Sequence, residues 1–359
     1  MSSGISRRAL LCTIPVAVRA QVKQPPAKKA KPFPEAGEFT RVTDPVTENV
    51  IVRLTTLSSS SVIPLARNHF VSSRERILIF ASDRGGHFCP FLVDLRTGGL
   101  RQLAETAKLS PRSLCFDKQE RTVRYLDGGE LFEVGLNRGS PKKIGEGYST
   151  FNSASDGSLY LISSGKLLHK TGGNLQELAD GATDVWPQPN SQGCLFSRTT
   201  GPDEGEFYFL SAVYGSAKPQ LIASGRVREP FWDADGESIL FLRDVTAPSG
   251  AILAEIHSKD VRGGNENLVS TTSQFASFSV NSDATVFVGA SRSRAQPNVI
   301  LMLRQPHREM TLCEHHSSHP GEVSPVFSPD NRRVYFESDR EGKSAIYSVN
   351  VELLIEPPA

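Results

Sequence analysis

The chain lacks the local signatures of the common enzyme chemistries. No G-x-S-x-G elbow is present, which removes the usual α/β-hydrolase nucleophile. Neither a P-loop nor a dinucleotide fingerprint occurs, which removes the usual nucleotide-dependent enzymes. None of the five cysteines forms a C-x-x-C pair, so a paired-thiolate zinc site is not expected. Cys89, Cys115, Cys194 and Cys313 lie far apart among strand-like residues and read as buried free thiols rather than a disulfide framework. An excess of one charge is missing too. With 40 basic and 39 acidic residues the net charge is +1, and nothing suggests the basic face of a nucleic-acid binder. No segment sustains helical periodicity for three turns without glycine or proline, so long helices are not expected.

What is present is turn chemistry, with 29 glycines and 23 prolines, as a chain of many short strands requires. At the front, Arg7 and Arg8 precede a short apolar stretch from Ala9 to Val18, and Val18-Arg19-Ala20 offers a cleavage point. Residues 1–20 therefore read as an export signal directing the protein to the periplasm, and Ser6-Arg7-Arg8-Ala9-Leu10-Leu11 is similar to a twin-arginine signal. Residues 21–38, rich in proline and lysine, bury too little apolar surface to offset ordering entropy and read as a disordered linker. No later run is long and apolar enough to insert stably in a membrane once the signal is removed.

Residues 39–359 carry a repeat. Ser82-Asp83-Arg84-Gly85-Gly86 before Phe91-Leu92-Val93 is matched by Ser338-Asp339-Arg340-Glu341-Gly342 before Ala345-Ile346-Tyr347. Turn anchors recur at Ser73-Arg74, Asp117-Lys118, Asp156-Gly157, Asn190-Ser191, Asp235-Gly236, Ser282-Asp283 and Asp330-Asn331, about 34–48 residues apart. Each precedes a β-branched or aromatic run, from Ile77–Phe80 to Arg333–Phe336. This predicts an all-β, seven-bladed β-propeller with four-stranded blades. Aromatic residues ahead of the anchors, among them Phe116, Phe151, Trp186, Phe231 and Phe278, are expected to wedge between blades. The last repeat has no outer strand of its own. Ile51-Val52-Arg53-Leu54-Thr55 is expected to complete it and to close the ring, covering an edge that would otherwise invite aggregation.

The Asp-rich turns, Phe327-Ser328-Pro329-Asp330 and the Ser-Asp-Arg-x-Gly repeats resemble TolB-type propellers. A narrower resemblance is to the oligogalacturonate lyases. It rests on Thr43-Asp44-Pro45-Val46-Thr47 with Val52-Arg53-Leu54-Thr55, on Leu92-Val93-Asp94-Leu95-Arg96-Thr97-Gly98-Gly99, and on Cys313-Glu314-His315-His316-Ser317-Ser318. The resemblance implies a seven-bladed propeller enzyme that cleaves short pectin fragments by β-elimination with a divalent metal such as manganese. In that chemistry a uronate carboxylate is neutralised, a base takes the adjacent proton, and cations stabilise the enolate-like charge. Two family histidines correspond to Glu322 and Ser324 here, and His319 stands where the family has glutamine. Arg228-Glu229-Pro230-Phe231-Trp232 replaces the family's histidine-bearing segment of the middle blades.

Carried onto this sequence, the metal ligands are His315, His316, His319 and Glu322, the densest donor cluster in the chain. Substrate binding falls to Asn68, His69 and Arg292, and catalytic charge stabilisation to Arg228 and Arg198. The partner is an oligosaccharide or a protein ligand at the propeller channel. A second reading keeps the fold and discards catalysis, making the chain a TolB-type scaffold that binds protein or carbohydrate. Convergence of these residues at one channel mouth favours the first reading. Deleting residues 39–56 is expected to unfold the domain, and an unchanged thermal melting curve for the truncated protein would refute closure by the N-terminal strand.

Overall fold

The computed structural model describes residues 37–354 except Arg138, 212–217 and Ser273. The leader and nearly all of the linker lie outside the described residues. The 34–48-residue period resolves into seven antiparallel sheets, each built from an inner, second, third and outer strand. The inner strands are Ser61–Val62, Cys115–Phe116, Thr150–Ser153, Asp184–Pro187, Val227–Trp232, Phe275–Val280 and Val326–Phe327, which define blades 1 to 7. The chain is a seven-bladed propeller, as its repeat predicts.

All seven anchors adopt one turn. The N–H of its fourth residue donates to the carbonyl of its first, in the pairs Glu75–Ser72, Glu120–Asp117, Gly157–Ala154, Ser191–Gln188, Gly236–Asp233, Ala284–Asn281 and Asn331–Ser328. That fourth residue has positive φ every time, from 49° at Glu75 to 91° at Gly157. Gly157 and Gly236 escape the cost of about 1–2 kcal/mol that an ordinary side chain meets there, and Asn331 tolerates the conformation better than most. First-position side chains compensate. Asp117 Oδ1 accepts from the N–H groups of Arg121 and Thr122, both at 2.7 Å, and Ser72 and Ser328 hydroxyls accept from the corresponding residues of their own turns.

The wedge aromatics pack between neighbouring blades. Phe231 meets Phe278 edge-on at 5.2 Å across blades 5 and 6, and Phe209 meets Trp232 at 6.1 Å across blades 4 and 5. Such pairs add about 0.5–1.5 kcal/mol each beyond burial. Cys89, Cys115, Cys194 and Cys313 are buried and free, as expected.

Closure is more extensive than a single strand. Two strands, β1 (Thr40–Thr43) and β2 (Val50–Arg53), join blade 7 and make it five-stranded. Strand β2 pairs antiparallel with Ala345–Asn350, Ile51 facing Val349. Beyond it, Leu54 donates to the Ile346 carbonyl at 2.7 Å and the Thr55 hydroxyl accepts from the Ile346 N–H. Thr43-Asp44-Pro45-Val46-Thr47 forms the hairpin turn and clamps blade 6. Asp44 is fully buried. Its carboxylate accepts from the N–H groups of Val46, Thr47 and Glu314, while Thr47 and Asn49 side chains donate to the Leu312 carbonyl. Glu38, assigned above to the end of the linker, accepts from the Thr56 N–H at 2.8 Å and pairs with Arg84.

Burial alone would push the Asp44 carboxyl up, but its hydrogen bonds outweigh burial and hold it below the usual carboxylate range. The stabilisation is therefore present above the unfolded pKa and is lost as pH falls through the folded one. Asp44→Ala leaves buried N–H groups unpaired and is expected to cost about 3 kcal/mol in urea unfolding at neutral pH. The penalty shrinks in acid, where the wild-type carboxyl is itself protonated.

Candidate functional site

A cavity of ≈ 700 Å³ opens where the inner strands of blades 4 and 5 begin. Its wall comprises Thr183–Asp184 and Arg226–Phe231, the turn joining the second and third strands of blade 4, the loop residues Leu65–Arg67, and Asp244 and Arg292. A second cavity of ≈ 350 Å³ lies toward the ends of the inner strands of blades 2 to 4. Arg67 lines both.

Arg67 leaves the blade 1 loop and crosses the channel. It donates to Asp184 of blade 4 and to the Thr150 hydroxyl of blade 3, and its guanidinium lies 5.1 Å from the Trp186 ring. Its Nε is a buried donor without a hydrogen-bond partner. Burial raises the Asp184 carboxyl and Arg67 pulls it back. On the opposite wall, Arg228 and Arg292 converge on Asp244 at 3.0 and 3.2 Å. Both also donate to the Phe275 carbonyl, which ties them to blade 6. Burial pushes the Asp244 carboxyl up, but its bond to Arg228 and the surrounding arginines hold it below the usual range.

Between these pairs stands Glu229. The register of blade 5 slips between Arg228, opposite Leu242, and Phe231, opposite Leu240. One extra residue is accommodated, so Glu229-Pro230 forms a β-bulge, and Glu229 takes φ of 52°. A proline cannot donate to the ladder, so its presence in a strand marks the bulge. The bulge puts Glu229 on the cavity wall, and among the described residues no cation is hydrogen-bonded to it. Glu229 is partly buried, and desolvation pushes its carboxyl above the usual range against the pull of Arg228 and Arg67.

The residues expected from sequence divide among several places. Arg198, Arg228 and Arg292 all line the larger cavity. Arg198 donates twice to the Asp180 carbonyl and stacks 4.5 Å from the Tyr208 ring, and among the described residues no carboxylate is hydrogen-bonded to it. His69 lines the smaller cavity, 3.1 Å from Glu120 and edge-on to Phe116. Asn68 is buried, donates to the carbonyls of Arg112 and Leu114, and lines neither cavity. Arg67, Asp184, Glu229 and Asp244 were not among the expected residues. Pro230 was the available signal for Glu229.

The sequence matches no protein-family model and no curated protein. Solved structures do match. An oligogalacturonate lyase in complex with manganese superposes with a TM-score of 0.77 at 16% identity, covering 90% of this chain and 98% of that one. An oligogalacturonate lyase from Vibrio parahaemolyticus gives 0.75 at 18% identity, covering 88% and 97%. The fold is that of the oligogalacturonate lyases. A TolB from Acinetobacter baumannii also matches, with a TM-score of 0.45 at 14% identity over 67% of this chain and 64% of its own.

The lyase fold makes the donor set for a channel metal testable against this chain, and the residues do not fit one. His315 is buried with both ring nitrogens engaged, Nε2–H donating to the Ser291 carbonyl and Nδ1 accepting from the Ser317 N–H. Burial pushes it down to about 4, so it stays neutral. His316 turns to Glu314 at 2.8 Å, His319 is exposed beside Ser318, and Glu322 sits in a short 3-10 turn on the surface. These four do not bring three donor atoms together. Among the described residues one group of His, Cys, Asp or Glu does so, and it lies elsewhere.

Arg67→Ala strands Asp184 in the channel wall. Breaking a buried pair in this way is expected to cost about 3 kcal/mol. Asp184→Asn in the same chain should recover part of that loss, as a double-mutant cycle by urea unfolding would read.

Proposed function

We propose that the larger cavity binds the end of a short uronate oligosaccharide and cleaves it by β-elimination, with Glu229 as the base. The observation that carries this reading is the bulge. It sets a carboxylate of raised proton affinity among arginines in a cavity of oligosaccharide-end size. Arg198 and Arg226 line that cavity, and among the described residues neither is hydrogen-bonded to a carboxylate. Both are suited to hold a uronate carboxylate, although Arg226 also helps hold Asp244 ionised. With the carboxylate neutralised, the proton on the adjacent carbon becomes acidic. Glu229 takes it, the arginines stabilise the enolate-like charge, the bond to the departing glycosidic oxygen breaks, and that oxygen takes a proton from water. A divalent metal would supply Lewis-acid assistance in this chemistry. Because the four expected donors do not gather and line neither cavity, arginines carry the charge stabilisation in this reading.

Arg228 and Arg292 are already paired with Asp244, which supports a subordinate reading, a channel that binds anionic sugars without cleaving them. Export to the periplasm belongs to the proposal in either case, and no helix among the described residues is long and apolar enough to cross a membrane.

Incubation with di- and trigalacturonate is expected to raise the ultraviolet absorbance of the unsaturated product. Glu229→Gln should lower kcat by about 100-fold or more while leaving KM little changed. Arg198→Ala should raise KM. Since a base works only when deprotonated, the acid limb of the rate profile should fall above the ordinary carboxylate range. Calorimetric binding without product would leave the binding reading alone, and no binding of either sugar would overturn both.

A further inference from the structure

The second-to-third-strand turn of blade 1 carries a donor group that neither cavity uses. His87 Nε2 and Cys89 Sγ each lie 3.8 Å from Glu105 Oε2, and the three donor atoms fall within 4.8 Å of one another. Cys89 opens the third strand of the blade, Cys89–Asp94, opposite Ser82. The outer ladder continues past Gln102 with the Leu103 N–H donating to the Pro90 carbonyl, and this brings Glu105 alongside His87 and Cys89. The Thr106 hydroxyl donates to the Phe88 carbonyl and stands 3.5 Å from Sγ, fixing the strand crossing behind the thiol.

The propeller repeat supplies an internal control. The turn of blade 7 has the same backbone bond, Gly342 N–H to Asp339 carbonyl at 2.8 Å against Gly86 to Asp83 at 2.7 Å. Its arginine stacks likewise, Arg340 6.0 Å from Tyr347 and Arg84 4.9 Å from Phe91. Leu54 donates to Ile346 as Leu103 donates to Pro90. In that register His87, Cys89 and Glu105 correspond to Lys343, Ala345 and Thr56. The blade 7 turn therefore folds without the three donors, which blade 1 adds to the shared turn.

We propose that His87, Cys89 and Glu105 bind one zinc-class transition-metal ion, with a fourth position open to water. The ligand set is soft and mixed, as zinc prefers, and unlike the oxygen set of a hard cation. Tetrahedral bond lengths put sulfur and oxygen about 3.5 Å apart across a zinc ion, and nitrogen and oxygen about 3.3 Å. Closing the 3.8 Å separations needs side-chain adjustments of a few tenths of an ångström, and bringing His87 to Cys89, within 4.8 Å, needs up to about 1 Å. His87 and Glu105 are exposed and can adjust, while Cys89 is fixed in the strand. The site lies outside the channel, and its test is independent of sugar binding or cleavage.

The test is titration of the metal-stripped full-length protein, carrying Cys12→Ser, with cobalt(II). The expected result is a thiolate-to-cobalt charge-transfer band with the visible bands of a tetrahedral ion, bleached by equimolar zinc. Cys89→Ser should abolish the band. His87→Ala and Glu105→Gln, both at exposed positions, should each weaken zinc binding at least tenfold. Absence of the band in the parent protein, its persistence in Cys89→Ser, or unchanged zinc affinity in both exposed variants would overturn the proposal.

Discussion

A propeller is a sheet array that must meet itself, and everything in this chain depends on how the last blade is covered. Without the N-terminal hairpin, Ala345–Asn350 would present an open edge beside blade 1. Strand β2 covers it, and Asp44 extends the join to blade 6 through the Glu314 N–H. The other side of the seam is locked by Glu337, which is buried, accepts from the Ile63 N–H and pairs with Arg112 at 2.8 Å. Burial pushes that carboxyl up to about 7, against the pull of Arg112. Blades 7 and 1 and the approach to blade 2 thus share one polar node.

The ring holds the channel wall rigid, and the wall is built of charge pairs that cross it. Arg67 spans from blade 1 to blades 3 and 4, and Asp244 gathers Arg228 and Arg292 against blade 6. Paired charges of this kind position groups and add little net attraction for a ligand. Arg198, Arg226 and Glu229 line the same cavity outside those bonded pairs, and the proposed chemistry rests on them.

The repeat was legible because turn chemistry is local. Seven short polar turns, each followed by a β-branched run, marked seven hairpins, and their strands fall within a few residues of the expected positions. The fifth strand of blade 7 was not legible, since Thr40–Thr43 has no apolar face and pairs only because β2 is already in place. The site was harder still. Arg198, Arg228 and Arg292 were named from the sequence and do share a cavity. His315 and His316 are adjacent in sequence, but positive φ at His316 turns their side chains to different partners. Arg67 stands one residue before the expected Asn68-His69, and in a loop that step separates a channel residue from a buried tie to Leu114.

The bar that Arg67 makes across the channel has a geometric consequence for any ligand. The passage becomes two unequal chambers rather than a tunnel. A ligand seated in the larger cavity would meet Arg67 on the side facing the smaller one. If the proposed function holds, such a dead end would read termini rather than interior segments and would favour fragments a few sugars long over intact polymer.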